Sequence, residues 1–257
     1  MWQSDTVKHM SIKTKGGGHG MNRLMKKALV IGTSLVMCVA SLTGCGNKIN
    51  PDDIVATVGD NKITLGTANF FARFQQASYE TFYAGMMGTT GEEMWNQIDE
   101  SGKAYDETVK EGLMDNLTSM YIIRDHAEEY GVSLTDEEKA AIDKTADEFI
   151  KANSEEVLND ITASKESVAE VLELMTIQHK MNAPLMAEAK ETAEKLKDTE
   201  AKEDEESSEA EDQAAIDYQY NEIITAWKKD VKVDVDKDMW SKVDFKKKGF
   251  TMKQQED

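Results

Sequence analysis

Two short runs of β-branched residues lie near opposite ends of a chain whose remaining composition favours helices. Ile54–Val58 reads IVATV and Val231–Val235 reads VKVDV, and both runs are typical of strands. Lys62–Thr64 follows the turn sequence Gly59–Asn61 and predicts a second short strand after the first run. Because a two-stranded hairpin is marginal by itself, these strands need further partners. The sequence therefore predicts that 231–235 pairs with 54–58, so that one domain is built from both ends of the chain.

The residues between these strands are predicted to be helical. The chain has only 2 prolines and many helix-forming residues. The clearest helix spans about 106–130 and ends at Gly131. Thr135 and Glu138 form a capping box at the start of another helix, and Pro184 marks the end or a kink of a later one. Apolar spacing of three and four also predicts a helix after Thr64 whose buried face contains Phe70, Phe71, Phe74, Ala77, Ser78 and Phe82.

A strongly acidic segment interrupts the helical pattern late in the chain. Residues 198–212 contain nine acidic side chains in fifteen positions and no large apolar residue, so this segment lacks the surface needed to fold alone. It is predicted to be a linker or a frayed extension of the preceding helix. The predicted organisation is a helical domain over 54–186, an acidic linker over 187–213, a returning helix and strand over 214–245, and a flexible tail over 246–257.

The start of the chain contains a short apolar run preceded by basic residues. Ala28–Ala40 has thirteen residues without charge, and Arg23, Lys26 and Lys27 stand before it. A bilayer-spanning helix needs about 20 apolar residues, so this run is too short to span and is typical of an export signal. We therefore expect a signal peptide over 21–44. Residues 1–20 show no periodicity, and we expect that they are a wrongly assigned segment upstream of a true start at Met21.

The apolar run is followed by Leu42, Thr43, Gly44 and Cys45. This order of a leucine, two small residues and a cysteine resembles the lipobox of bacterial lipoproteins. The resemblance implies that the Cys45 thiol carries a diacylglyceryl group and that cleavage makes Cys45 the first residue. Two acyl chains suffice for stable anchoring. We thus expect lipid anchoring at the outer face of the cell membrane, with residues 45–53 as a polar tether.

Charge and cysteine usage exclude several classes of function. The full chain has a net charge of −19, and removing residues 1–44, whose net charge is +5, leaves −24. Such a charge repels nucleic acid and anionic lipid headgroups. Cys45 would be the one cysteine left after cleavage, so the processed chain has no internal disulfide and no thiolate metal site. We expect no metal ion and no cofactor.

Three segments resemble the SurA- and PrsA-type extracytoplasmic chaperones. IVATVGDNKITLGTANFF resembles the hairpin and Phe-rich helix that open these proteins, and LMDNLTSMYIIRDHAEEYGVSLTDEE resembles their next helix, glycine and capping box. YNEIITAWKKDVKVDVDKDMW resembles their C-terminal helix and strand. The resemblance implies a mainly α fold of the SurA N-terminal or trigger-factor C-terminal type, with a small β element that joins the N- and C-terminal strands.

The resemblance also marks a difference from the family. Its members usually carry a parvulin-type prolyl isomerase domain of about 90 residues before the C-terminal helix, whereas Ala187–Ala214 offers 28 residues here. His126 and His179 lie on predicted helices among charged residues, so we expect them on solvent-exposed faces rather than in a catalytic site. The sequence also has no G-x-S-x-G nucleophile turn. We therefore expect no catalytic residues and no enzyme activity.

The resemblance implies a chaperone-like lipoprotein that binds unfolded or exported polypeptides without catalysis. Methionine suits surfaces that accept many apolar partners, and Met86, Met87 and Trp95 lie near a Gly-flanked break between helices. They are the candidate client-binding residues. The alternatives are a prolyl isomerase of the PrsA type, and a solute-binding or envelope scaffold lipoprotein. The sequence leaves the oligomeric state open, a dimer included.

Overall fold

Helices dominate the architecture, as the sequence predicts. The structure is a computed structural model, and it describes residues 35–39, 49–86, 88–98, 102–200 and 208–254. The strands are β1 (Leu35–Val39), β2 (Ile54–Val58), β3 (Asn61–Thr64), β4 (Val233–Val235) and β5 (Phe250–Gln254). The helices are α1 (Leu65–Ser78), α2 (Ala84–Met86), α3 (Gly91–Trp95), α4 (Tyr105–Asp125), α5 (Asp136–Ala152), α6 (Glu155–Asp160), α7 (Lys165–Glu200), α8 (Glu209–Asp230) and α9 (Lys237–Trp240). A π-helical turn (Tyr79–Tyr83) joins α1 to α2, and a 3₁₀ turn (Ala127–Tyr130) follows α4.

The predicted pairing of the two chain ends is confirmed. An antiparallel sheet has the strand order β3-β2-β4, in which Ala56 faces Val235 and Val58 faces Val233. The side chains of Val55, Ala56 and Val58 in β2 are buried in the core, which explains this pairing. The sheet therefore joins the N-terminal hairpin to the segment that follows α8.

Local turn and cap chemistry also agrees with the sequence. Gly131 ends the 3₁₀ turn with φ +65°, a left-handed conformation that favours glycine. The capping box of Thr135 and Glu138 is present at the start of α5. Thr64 caps α1 by accepting the N–H of Thr67. These signals depend on neighbouring residues alone, which is why the sequence identifies them.

The predicted linker over 187–213 is wrong in extent. Helix α7 continues to Glu200 and has Pro184 inside it rather than at its end, and α8 begins at Glu209 after the N-cap Ser208. The residues after 187 are helix formers, and the buried side chain of Ala189 shows that they are packed. An ion pair of 3.0 Å between Lys197 Nζ and Asp212 Oδ1 joins α7 to α8.

Two predicted flexible segments are partly ordered. In the tether predicted over 45–53, the carbonyl oxygens of Pro51 and Asp53 accept hydrogen bonds from Gly66 and Leu65 at the start of α1. In the tail predicted over 246–257, β5 pairs antiparallel with β1 and the side chain of Phe250 is fully buried. The partner strand explains the second difference, because β1 lies within the predicted signal peptide, outside the predicted domain.

The core has one main cluster and one satellite cluster. The main cluster contains the buried side chains of the sheet, α1 and α4, together with Trp240, Val243 and Phe245 after β4. The satellite cluster joins α4, α7 and α8 around Ile123, Ile177, Met181 and Leu185. The chain after Glu209 thus packs on the helices that precede the acidic segment, as the sequence predicts for 214–245.

A proline in β4 tests the pairing of the chain ends. The N–H groups of Asp236 and Gly59 donate to Val55 and Lys232, so the alternation of an antiparallel ladder makes Thr57 and Asp234 a hydrogen-bonded pair. Asp234→Pro removes this donor, and we expect it to lower the free energy of unfolding by about 1–3 kcal/mol. Asp234→Ala keeps the N–H at the same exposed position, so its effect should stay within about 0.5 kcal/mol. Equal urea midpoints for the two variants would contradict the pairing.

Candidate polypeptide-binding site

The π-helical turn after α1 places two large apolar side chains in solvent. Phe82 is 60% exposed and Met86 is 82% exposed, and they are four residues apart in consecutive helical segments. A π turn contains more residues than an α turn and therefore rotates the positions that follow it. Phe82 is the fourth residue of this wider turn, so it is displaced from the face that α1 buries and is exposed, although the sequence predicts it on the buried face. Exposed apolar residues of this size, four positions apart in the sequence, are candidate contact points for apolar ligands.

The carboxylate of Glu80 is the polar centre of the same turn. Its Oε1 accepts hydrogen bonds of 2.7 Å from both Trp95 Nε1 and Gln76 Nε2, and its Oε2 accepts one of 2.7 Å from the backbone N–H of Phe250. Burial raises the pKa of Glu80 above its ordinary value, while these hydrogen bonds act in the opposite direction. Glu80 thus joins α1, α3 and β5.

Arg73 extends this network along α1. Its Nη1 donates to Gln76 Oε1 at 2.6 Å and to the carbonyl oxygen of Asp244 at 3.1 Å. The guanidinium also lies over the rings of Phe245 and Phe250, with 5.7 and 5.3 Å to their centroids. Burial lowers the pKa of Arg73 to about 10. The network fixes the path of the chain after β4 across α1.

Strand β5 lies between the π turn and β1. The backbone N–H of Met252 donates to Thr81 Oγ1 at 2.9 Å, so two side chains of the turn bind β5 along one edge. Strand β1 pairs with the other edge in the register Met37 opposite Met252. The Met37 side chain is 1% exposed, and its N–H donates to Asn153 Oδ1 at 2.8 Å. This arrangement is a groove that holds an extended segment.

The structure separates the residues that the sequence proposed for client binding. Met86 is exposed on α2, and Met87 lies outside the described residues. Trp95 is a correction, because it is 1% exposed, stacks on Tyr105 at 5.8 Å and packs on Phe245 at 5.0 Å. A buried ring in this position stabilises the core rather than contacting a client. Cys45 and the lipobox residues Leu42, Thr43 and Gly44 also lie outside the described residues.

Sequence reasoning missed Glu80, Thr81 and the exposure of Phe82. The spacing of Gln76 and Glu80 was the available signal, since residues four apart on a helix can meet. The π turn itself left no signal in the pattern of apolar residues. Strand β5 carries alternating apolar side chains, Phe250 and Met252, which is a strand signal in a segment that is otherwise charged.

A polar cavity of about 860 Å³ lies elsewhere, between the start of α1, the loop before α7 and residues 242–248. Lysines and carboxylates line it together, and Lys248 Nζ pairs with Asp160 Oδ1 at 2.6 Å. Glu170 accepts hydrogen bonds from Thr67 Oγ1 at 2.8 Å and from Tyr121 OH at 2.7 Å. Asp160, Glu170 and Lys248 thus serve structural contacts, and the cavity lining contains no histidine or cysteine.

The two histidines of the described residues lie on different elements, and neither belongs to a metal-binding group. His126 stacks on Trp227 with ring centroids 4.2 Å apart, and His179 is exposed on α7. Within the part of the chain that is described, no group of three or more His, Cys, Asp or Glu side chains is placed to hold a metal ion. In that same part, no helix combines the length and the apolar character that a membrane span requires.

The chain is similar to a protein that is named as a foldase. It is 27% identical over 175 residues to the foldase protein PrsA of Caldanaerobacter subterraneus subsp. tengcongensis. The match covers 67% of this chain and 51% of that protein, so the chain spans about half the length of the relative it matches. No protein-family model and no solved structure matches the chain. The similarity supports a relationship to extracytoplasmic chaperones and foldases of the PrsA and SurA type.

The raised pKa of Glu80 predicts a specific pH dependence of stability. Between the ordinary pKa of the unfolded chain and the raised value, the folded protein binds more protons than the unfolded one. The contribution of Glu80 is therefore fully present below the unfolded pKa and is lost as the pH rises through the folded pKa. We expect the free energy of unfolding of the wild type, relative to that of Glu80→Gln, to fall as the pH is raised from about pH 4, near the ordinary glutamate pKa.

Urea unfolding across this range, followed by circular dichroism, measures the difference. Glu92→Gln removes a carboxylate at an exposed position of α3 and is the matched control. If the stabilities of the wild type and Glu80→Gln change in parallel with pH, Glu80 is not the partly buried hydrogen-bonded centre described above.

Proposed function

We propose that this chain is a membrane-anchored, extracytoplasmic chaperone-like lipoprotein that binds unfolded exported polypeptides without catalysis. The observation that carries the proposal is the similarity to the foldase PrsA over two thirds of the chain. The exposed side chains of Phe82 and Met86 supply a surface for reversible apolar contact. The net charge of −24 after residue 44 would keep a loaded complex soluble and favour basic client segments.

The packing of α7 against α8 supports binding without catalysis. In the family that the sequence resembles, an isomerase domain usually precedes the C-terminal helix. Here α7 ends at Glu200, α8 begins at Glu209, and the two helices pack directly on each other. A prolyl isomerase of the PrsA type is the second candidate, because the relative is named a foldase. A solute-binding or envelope scaffold lipoprotein is the third.

Suppression of aggregation tests the proposal. The chain without its leader is mixed with an unfolded, aggregation-prone exported protein while light scattering is followed, and proline isomerisation of a short peptide is assayed in parallel. We expect less scattering and no isomerisation above the uncatalysed rate. Isomerase activity would favour the prolyl isomerase over the non-catalytic chaperone. Unchanged scattering would favour the solute-binding or envelope scaffold lipoprotein.

Removal of the exposed apolar pair should weaken the suppression. Phe82→Ser with Met86→Ser removes contact area that is worth about 1.5–3 kcal/mol per fully buried side chain. Because a client would bury only part of it, we expect about three- to tenfold more protein to be needed for half suppression. The control is Tyr218→Ser with Leu196→Ser, which removes two apolar side chains, 60% and 45% exposed, from α8 and α7. An equal loss of aggregation suppression in the two double variants would contradict a role for the π turn in client binding.

The lipid anchor has its own test in the leader. Cys45→Ser should abolish incorporation of labelled palmitate, leave the leader uncleaved and release the chain from lipid-dependent membrane attachment. Cys38→Ser changes the other cysteine, seven residues earlier, and should label like the wild type. Labelling of the Cys45→Ser chain would contradict the assignment of the acceptor.

A further inference from the structure

The two edges of β5 have different partners. Along one edge, the N–H groups of Phe250 and Met252 donate to side chains of the π turn. Successive residues of a strand direct their N–H groups to opposite edges, so those of Thr251 and Lys253 face β1. The register agrees, since Thr251 lies opposite Cys38 and Lys253 lies opposite Val36. The same alternation explains why the Met37 N–H points away from β5, toward Asn153.

Strand β1 is bound as an extended apolar peptide would be. Its sequence, LVMCV, has no charge. The Met37 side chain is buried in the main core cluster, and the strand packs against α5 and α6. Asn153, whose Oδ1 accepts the Met37 N–H, is itself buried and donates from Nδ2 to the carbonyl oxygen of Phe149 at 2.8 Å. The groove therefore has a backbone edge, an apolar pocket and a fixed polar acceptor.

Cleavage before Cys45 would remove the occupant of this groove. Residues 35–39 lie within the predicted leader, so the processed chain would keep β5, Asn153 and the Met37 pocket without β1. An open strand edge is a template for pairing with another chain. Two processed chains of net charge −24 repel each other, which disfavours a second copy as the new partner.

We propose that the processed chain binds an extended, uncharged apolar segment of an unfolded polypeptide in the place of β1. The segment pairs antiparallel with β5 and inserts a side chain of methionine or leucine size into the pocket of Met37, which is β-strand addition. In the precursor the leader occupies the groove, so binding begins only after the leader is cut. This inference rests on the proposed function, because it requires cleavage and an apolar client.

A peptide of the chain's own strand is the direct probe. It carries residues 33–41 with Cys38 replaced by serine, two lysines at each end and a fluorescent label, and binding is followed by anisotropy. The proteins are the full chain and the chain from residue 45, both with Cys45→Ser. We expect the shorter chain to bind at least about tenfold more tightly than the full chain, whose own β1 competes. A probe with Met37→Asp should bind at least about tenfold more weakly, because it would bury a charge in the apolar pocket.

A substitution in β5 tests the backbone edge. Thr251→Pro in the shorter chain removes an N–H that faces the incoming strand, so we expect at least about tenfold weaker binding of the probe. Thr251→Ala keeps that N–H, and its affinity should stay within about twofold. Urea midpoints of the two variants show whether the proline has altered the fold, and the Met37→Asp probe supplies a result that needs no change to the protein.

Several results would overturn the inference. One is equal affinity of the full and shorter chains for the probe, and another is equal affinity of the shorter chain for the two probes. A third is failure of the chain from residue 45 to fold, which would make β1 a permanent part of the core. A dimer that Thr251→Pro dissociates, with no binding of the probe, would assign the groove to a second copy. Aggregation suppression that Thr251→Pro leaves unchanged would refute the groove and keep the proposed function. Probe binding without any suppression of aggregation would keep the groove and refute the proposed chaperone function.

Discussion

The carboxylate of Glu80 accepts hydrogen bonds from three separate elements, and the position of β5 depends on them. Gln76 belongs to α1, Trp95 to α3 and Phe250 to β5, so one side chain joins parts of the chain up to 170 residues apart. Such a partly buried carboxylate is stable only while these donors remain in place. When they do, β5 is oriented with one edge on the π turn and the other edge toward β1.

The π turn connects the two surfaces to which we assign client contact. Thr81 binds the backbone of Met252, and the next residue, Phe82, projects into solvent. The exposed apolar pair thus lies next in sequence to a residue that holds one edge of β5, and the other edge of β5 faces β1. Contacts to a strand edge use backbone groups that every polypeptide has, and contacts to Phe82 and Met86 require only apolar surface. Both suit a protein that binds many unfolded sequences.

Local chemistry and chain-end pairing were predictable, whereas features set by tertiary contacts were not. The β2–β4 pairing followed from the need of β-branched strands for partners. Trp95 shows the opposite case, because its glycine-flanked surroundings indicated a surface loop, while the rings of Tyr105 and Phe245 bury it. Residues 187–200 read as an acidic linker, yet packing on α8 keeps them helical. Strand β5 was not predicted because its partner, β1, lies within the predicted signal peptide.

Hydrogen–deuterium exchange on the processed chain, with and without a saturating unfolded client, tests the central claim most directly. The account predicts that the client slows exchange at the backbone amides of residues 79–86 and 250–254, while the helical hairpin of α7 and α8 exchanges as before. Protection confined to that hairpin, or to the polar cavity beside the start of α1, would contradict the account.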